Sequence, residues 1–404
     1  MIPAAGSPQV LALRDLEEIR AVLAGIRVSS GGIDIMESKA LFRVVRVTDI
    51  DVRAANILKQ EMLSRGGEVA TSREVYEMGG KKADCVVMGT MAQFARLLPK
   101  LRAQPFGLRD LADSMEAALR NYEQPTPASF SRLDLSRPPV LMGILNLTPD
   151  SFSDGGLYAD LDDAVSAGVA MADDGAAIVD VGGESTRPGA AAVPAAEELR
   201  RVLPAVKALA TQLPVPVSVD TYKAQVAAET LKAGAWMIND VSALRMDPEM
   251  VAVVRDAGCP VVLMHMRGDP RTMQEQPTYD DVMAEVYAFF VERLNWAVDH
   301  GLKEGNLLID PGIGFGKTAG HNLAILRQLS TFRSLGRPVV VGTSRKRFLG
   351  EILGVEEAAE RDEGTAATSV IATYQGAHIL RVHQVGLNRD AVRVASAVLS
   401  AGKD

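Results

Sequence analysis

Eight short apolar runs after residue 137 each end in side chains that can do chemistry. These are Asn146, Asp180, Asp220, Asn239, His265, Asp310, the run Ser344-Arg345-Lys346, and Arg381 with His383. Carboxylates accept hydrogen bonds, an amide both donates and accepts, and lysine and arginine donate. Such a set can read the edge of a polar ligand if the chain brings its members together. A strand that stops and at once offers a polar group, repeated eight times, is one geometric idea. In a (β/α)8 barrel all parallel strands end on one rim, so the residues at their ends converge on a single ligand.

The elements that must position these residues are strands and helices in alternation. Strands are expected at Val140–Asn146, Ala177–Gly182, Val215–Asp220, Trp236–Asp240, Pro260–His265, Asn306–Asp310, Pro338–Thr343 and His378–His383. Amphipathic segments lie between them. In the stretch from Asp280 to His300, Val282, Val286, Phe290, Leu294 and Val298 form one stripe, Asp280 or Asp281 can cap its start, and Gly301 suits its end. This alternation implies a parallel sheet with right-handed crossovers. Eight such units fit a closed barrel better than an open doubly wound sheet. The expected fold class is α/β, a (β/α)8 TIM barrel over 139–404 preceded by a small α/β N-terminal domain over 1–120.

Between them, residues 121–138 read as a linker. Pro125, Pro127 and Pro138 lie there among Ser129, Ser131 and Ser136. Phe130, Leu133 and Leu135 are apolar and could pack against the barrel. In the first 120 residues, Leu41 to Val47 is β-rich and Val52 to Arg65 is helical in character. A strand follows at Cys85 to Met88, with helices near Met91 to Leu101 and Leu108 to Leu119. A ferredoxin-like or similar sandwich fits this spacing. Gly66-Gly67 and Gly79-Gly80 read as turns, because no P-loop lysine follows either pair.

Composition narrows the rest. The 404 residues are 47% hydrophobic and 23% charged, ordinary for a globular protein. A net charge of −8 argues against a general nucleic-acid surface, though not against a local basic pocket. The N-terminus carries no signal-peptide pattern. No uncharged run approaches the ~20 residues that cross a bilayer. Cys85 and Cys259, the only two cysteines, read as buried reduced thiols. With five histidines and no His-x-His, a hydrolase barrel with a histidine-bound metal is disfavoured. Pro311-Gly-Ile-Gly-Phe-Gly316-Lys317-Thr318 ends like a Walker A loop, but Pro311 stands where the first glycine is required.

Two long segments carry a resemblance. Gly143-Ile-Leu-Asn146-Leu-Thr-Pro-Asp150-Ser-Phe152-Ser-Asp-Gly-Gly156, joined to Asp180-Val-Gly-Gly-Glu-Ser-Thr186-Arg187-Pro188-Gly189, resembles dihydropteroate synthases. Ser218-Val-Asp220-Thr221, Ile238-Asn239-Asp240, Asp310-Pro-Gly-Ile-Gly-Phe315-Gly-Lys317, Ser344-Arg345-Lys346 and Arg381-Val-His383 follow in the same order. The resemblance spans the barrel, roughly two-thirds of the chain, and leaves the first 120 residues outside. It departs at Gln384, where the family's usual residue is aspartate.

The resemblance implies condensation of 6-hydroxymethyl-7,8-dihydropterin pyrophosphate with p-aminobenzoate, giving 7,8-dihydropteroate for folate synthesis, with sulfonamides as mimics of the arylamine. It implies pterin binding by Asp220, Asn239, Asp310 and Lys346, with Asp180 behind them. Arg381, His383 and Asn146 are implied at the pyrophosphate, Asn146 also as ligand to a Mg²⁺ cofactor. Thr186, Arg187, Pro188 and Phe315 are implied around p-aminobenzoate. Asp150, Arg187 and Lys346 are the expected catalytic residues. The residue chemistry agrees: a pterin edge alternates donors and acceptors, and Arg381 and His383, two apart on a strand, point the same way. An SN1-like substitution is expected, with loops Thr148–Gly156 and Gly183–Gly189 excluding water. A cytoplasmic homodimer binding neither nucleic acid nor membrane is expected. His265 reads as packing or support. A pterin-dependent methyltransferase acting on methyltetrahydrofolate and a corrinoid protein could share Asp220, Asn239 and Asp310, but has no use for Arg187-Pro188 or Arg381-Val-His383. A non-catalytic pterin-binding barrel would not need the charged set.

Overall fold

A computed structural model of the chain describes residues 9–77, 81–124, 129–137, 139–147, 157–185, 192–268, 273 and 277–401. The chain divides into two compact units, Met1–Gln124 with Ser400–Asp404, and Pro125–Leu399.

The first unit opens with helices α1 (Leu16–Gly25) and α2 (Ser30–Ala40), then β1 (Phe42–Asp51), α3 (Val52–Leu63), β2 (Glu68–Thr71) and α4 (Arg73–Glu77). β3 (Lys82–Thr90), α5 (Met91–Leu101) and α6 (Leu108–Glu123) complete it. The sheet runs β1-β3-β2, with β3 antiparallel to both neighbours. A ferredoxin-like sandwich would have a fourth strand; here α5 and α6 follow β3 instead. Thr90 and Gln93 form a capping box that starts α5 at the strand's end. Phe94, Leu97, Leu98 and Leu101, at helical spacing, bury its inner face.

The second unit begins with a small hairpin, β4 (Ser129–Phe130) and β5 (Leu133–Asp134). The barrel follows: β6 (Val140–Asn146), α7 (Leu157–Asp173), β7 (Ala176–Gly182), α8 (Ala195–Gln212), β8 (Val217–Asp220) and α9 (Ala224–Lys232). It continues with β9 (Met237–Asp240), α10 (Met250–Ala257), β10 (Val261–Met264), α11 (Val282–Asp299), β11 (Leu307–Asp310) and α12 (Ala319–Arg327). β12 (Val340–Val341), α13 (Arg347–Leu353), α14 (Asp362–Tyr374), β13 (Ile379–Val382) and α15 (Val385–Ser400) end it. The eight strands run parallel in the order β11-β10-β9-β8-β7-β6-β13-β12, and a parallel bridge from Ile309 to Val339 closes the ring. This is the (β/α)8 barrel that the repeating pattern implied.

Strand parity then decides where the chemistry goes. Met142, Ile178, Met237, Val262, Leu308, Val340 and Ile379 meet inside the ring as one apolar floor, with Leu133 and Leu135 of the hairpin segment packed into it. Side chains alternate across a strand. The residue two steps beyond each floor position therefore also points inward, one layer higher. Those residues are Ile144, Asp180, Asn239, Met264, Asp310, Gly342 and Arg381. The segment read as linker contributes to the floor, because Leu133 and Leu135 are buried and Phe130 meets the Trp236 ring edge-on at 5.7 Å.

Two local details differ from expectation. β12 is confined to two residues, since Pro338 has no N–H to donate and Gly342 already faces the cavity. On α11 the buried stripe runs Val282, Val286, Phe290, Arg293, Ala297, and Val298 is exposed. A strict four-residue step drifts about 40° per step around a helix, so the stripe shortens to a three-residue step to stay on the core. Asp281 caps that helix, accepting from Met283 and Ala284 N–H at 3.1 Å each. Cys85 and Cys259 are buried and unbonded to each other. No helix among the described residues is long and apolar enough to cross a membrane.

Candidate active site

The upper inward layer opens into a cavity of about 780 Å³ at the C-terminal ends of the strands. Asn146, Asp220, Asn239, Asp310, Phe315, Lys346, Arg381 and His383 all line it. At its base is a charged network. Asp180 is completely buried, and its Oδ2 accepts from Asn239 Nδ2 at 3.0 Å and from Arg381 Nε at 2.6 Å. Arg381 Nη2 donates to Asp220 Oδ2 at 2.8 Å. The arginine thus bridges two carboxylates and holds them side by side.

What the network leaves unmatched points to a ligand. Asp180 Oδ1, Asp220 Oδ1 and Ser218 Oγ are buried and have no hydrogen-bond partner among the described residues. Leaving a buried acceptor unmatched costs about 1–3 kcal/mol. Burial raises the Asp220 carboxyl to about 7, with Arg381 pulling it down and Asp180 pushing it up. Burial also raises Asp310, whose Oδ1 accepts from Gly312 N–H at 2.7 Å. Glycine occupies two inward positions. A Cβ at Gly182 would lie 3.6 Å from Asn146 Oδ1 and from Asp220 Cβ, and one at Gly342 would lie 3.9 Å from Lys346 Nζ. Their absence leaves a slot suited to a flat ligand.

Lys346 precedes α13 and donates from Nζ to the Ile313 carbonyl, with that nitrogen 4.6 Å from the centre of the Phe315 ring. Burial lowers its ammonium to about 8, against the opposing pull of Asp310. Its neighbour Arg345 also borders the cavity but is held by an acidic partner. It sits at φ 59° and grips Asp362 through Nε and Nη2, both at 2.8 Å. His383 Nδ1 pairs with Ser344 Oγ at 2.8 Å, which fixes the imidazole plane. Gln384 is exposed, and its carbonyl accepts from Asn388 Nδ2. His265 lies behind the cavity wall, its ring edge-on to Phe289 at 4.8 Å and its Nδ1 2.8 Å from Lys317 Nζ.

Of the residues singled out from sequence, the cavity gathers Asn146, Asp220, Asn239, Asp310, Phe315, Lys346, Arg381 and His383, with Asp180 directly beneath. Asp150, Thr186, Arg187 and Pro188 lie outside the described residues. Lys223, just after β8, forms ion pairs with both Glu184 and the buried Glu198, and Tyr222 donates to Glu184 at 3.1 Å. Sequence reading did not single out this cluster, nor the Ser344–His383 pair. Ser344 stood within a quoted motif, but only the fold sets β12 beside β13.

No group of three or more histidine, cysteine or acidic side chains among the described residues could hold a metal. The one oxygen donor assigned to that role is Asn146. An octahedral Mg²⁺ takes few protein ligands and fills its shell with phosphate oxygens and water. Asn146 therefore fits an ion that arrives with a phosphorylated substrate.

Residues 142–383 match the family of pterin binding enzymes. Over 274 residues the chain is 50% identical to a dihydropteroate synthase of Escherichia coli K12, covering 68% of this chain and 96% of that one. A solved Xanthomonas albilineans dihydropteroate synthase with 4-aminobenzoic acid aligns with a TM-score of 0.64 and 47% identity, over 69% of this chain and 99% of that chain. A probable bifunctional folylpolyglutamate synthase/dihydropteroate synthase of Halobacterium salinarum is 43% identical over 387 residues, 95% of this chain and 46% of its own length. That last match takes in most of the first unit, which the other two leave out.

Proposed function

The chain belongs to the dihydropteroate synthase family, and from that premise we propose how its residues carry out the family's transferase reaction. 6-Hydroxymethyl-7,8-dihydropterin pyrophosphate and p-aminobenzoate are joined, and 7,8-dihydropteroate and pyrophosphate are released. The observation that carries this reading is the pair of orphaned carboxylate oxygens on Asp180 and Asp220 at the base of a slot kept clear by glycines.

The pterin lies flat in that slot. Asp220 and Asp310 accept from its amino and ring N–H groups, Asn239 both donates and accepts, and Lys346 donates to the ring carbonyl or nitrogen. Asp180 acts on the ring through Asn239 and Arg381. His383, with its ring oriented by Ser344, joins Arg381 at the pyrophosphate. Two of the guanidinium nitrogens already serve the aspartates, so Arg381 ties the pterin edge to the leaving group rather than serving the phosphate alone. Mg²⁺, held by Asn146 and phosphate oxygens, would neutralise part of the pyrophosphate charge.

The reaction breaks the bond from the pterin methylene carbon to the pyrophosphate oxygen, and the electron pair leaves with the oxygen. The positive charge spreads into the ring. The neutral arylamine nitrogen then forms the C–N bond with its lone pair and loses a proton afterwards. Such a step needs positioning and preorganised charge more than a strong base. Phe315 forms one wall of the aryl site; Thr186, Arg187 and Pro188 complete it, and Asp150 acts with them in excluding water.

The domain division 1–120, 121–138 and 139–404 belongs to this reading, as do a cytoplasmic location and a homodimer formed through barrel helices. Exposed Ile371 and Tyr374 on α14 and Leu387, Val394 and Val398 on α15 support the dimer. The test of function is turnover on the full chain with both substrates and Mg²⁺. One pyrophosphate should appear per dihydropteroate formed; no p-aminobenzoate-dependent pyrophosphate release would refute the reading.

A further inference from the structure

The segment Gly312-Ile-Gly314-Phe315-Gly316-Lys317, which imitates a phosphate loop in sequence, is built the opposite way round. In a phosphate loop backbone N–H groups face an anion and the lysine reaches out to it. Here the lysine turns inward. Lys317 is 2% exposed, and its ammonium meets four partners: the carbonyls of Gly312 at 3.0 Å, Phe315 at 3.0 Å and His265 at 3.3 Å, and His265 Nδ1 at 2.8 Å. The loop has wrapped its own lysine, and burial pulls that ammonium well below its ordinary value.

The loop's backbone makes that possible. Gly312, Gly314 and Gly316 all have positive φ, at 64°, 83° and 62°. A Cβ on Gly312 would stand 1.9 Å from the His265 carbonyl oxygen, and one on Gly316 would stand 2.6 Å from the Arg267 carbonyl oxygen. The loop is thus pressed against the residues after β10, and the carbonyls at 312 and 315 are turned onto Nζ. Burying a lysine is costly unless its donors are matched. Three N–H donors are shared here among three carbonyls and an imidazole nitrogen, the His265 carbonyl being the longest contact. His265 can play this part because it is neutral: burial and Lys317 hold it far below its ordinary value.

The Phe315 ring, which this loop carries to the cavity, hangs on that cage. Lys317 fixes the carbonyl of Phe315, whose ring faces the cavity. We infer that Lys317, seated on His265, is a positioning residue that sets the Phe315 ring, and so tunes the arylamine site more than the pterin edge. This rests on the assignment of Phe315 to the aryl pocket.

The cage can be broken from either side. Lys317→Met keeps the length and volume of the stem but removes the donors; His265→Leu removes the acceptor from the other end. His265→Asn keeps an acceptor oxygen where Nδ1 stood. For Lys317→Met and His265→Leu the expected result is a KM for p-aminobenzoate raised on the order of 10-fold to 100-fold, because small misplacements of a binding group are expensive. Calorimetric affinity for a pterin should stay within about 3-fold, since Asp220 and Asn239 are untouched. His265→Asn should recover most of the p-aminobenzoate KM, a rescue that a purely structural lysine would not show. Should Lys317→Met fail to fold, the two His265 variants carry the comparison. Equal losses toward both substrates, or no rescue by asparagine, overturn the role of Lys317. An unchanged p-aminobenzoate KM in Phe315→Ala overturns the assignment beneath it instead.

Discussion

Arg381 Nε donates to Asp180 Oδ2 across 2.6 Å, joining β13 to β7 through two side chains that both point into the barrel. The aspartate has no exposure at all, and Asn239 leans on the same oxygen. Asp180→Ala should therefore strip an acceptor from a half-buried arginine and a buried amide together. Breaking a buried pair from one side costs about 3–5 kcal/mol. Chemical denaturation should register a loss of that order, and pterin affinity should fall with it because the Asp220–Arg381 contact loses its second anchor. A stability change under ~1 kcal/mol, with affinity intact, would show that water replaces the aspartate without penalty.

Pterin affinity should peak in a narrow pH range. The Asp220 carboxyl, raised to about 7 by burial, offers a bare acceptor to both Arg381 and the ring only when ionised, so affinity falls as pH drops below about 7. Lys346, lowered to about 8, donates as a cation, so its contribution fades as pH rises above about 8. Each limb approaches about tenfold per pH unit for a single proton. Calorimetry of an unphosphorylated pterin from pH 5.5 to 9.5 reads both limbs. A flat profile would remove one or both groups from the ring.

The leaving-group assignment predicts selective damage. Arg381→Ala and His383→Ala should weaken pyrophosphate more than an unphosphorylated pterin, His383→Ala most cleanly because its anchor is Ser344 rather than an aspartate. Equal losses for both ligands would place these side chains in support of the fold. Gln384→Asp should alter turnover by less than about 3-fold, since the side chain is exposed and the backbone carbonyl that Asn388 uses is kept.

Acid should destabilise the barrel before carboxylate titration does. His265 and His378 are buried and neutral, and burial lowers them from 6.5 to about 2 and about 4. The unfolded chain takes up those protons below 6.5, so their contribution is present above that pH and is lost as pH falls. Each contributes up to about 1.4 kcal/mol per pH unit, His378 down to about 4 and His265 further. His378→Asn, which keeps an acceptor for the Val339 N–H, should lower the slope between pH 6 and 4.5. An unchanged slope would mean that His378 is protonated in the folded state as well.

Much of the site was legible because strand parity is a local property. Once Asn146, Asp180, Asn239, Asp310 and Arg381 are taken as strand-end residues, the period of two decides that they share one interior. The pairings were not legible, because they join residues far apart in sequence: Arg381 to Asp180 is separated by 201 positions. The role of Lys317 was not legible for a different reason. A glycine-rich loop with a terminal lysine has one pattern but two backbone arrangements, N–H groups inward or carbonyls inward, and only φ values separate them. The hairpin at 129–134 was hidden by prolines and serines around it, although Leu133 and Leu135 carried its apolar signal. In the first unit, α1 could have been read from its cap, Asp15 accepting from Glu18 N–H at 2.9 Å; α2 buries none of its residues and offered no stripe to read.

The central claim is that the strand-end carboxylates read a pterin, and Asp310 tests it most directly. It lines the cavity without sharing the Arg381 network, so its removal leaves the Asp180–Arg381–Asp220 contacts standing. Calorimetric titration of a pterin analogue into the full chain and into Asp310→Ala, with circular dichroism confirming equal folding, isolates one charged contact. The account predicts affinity lower by roughly 10- to 100-fold, the loss of a hydrogen bond to a charged group. Equal affinity in the two proteins would contradict it.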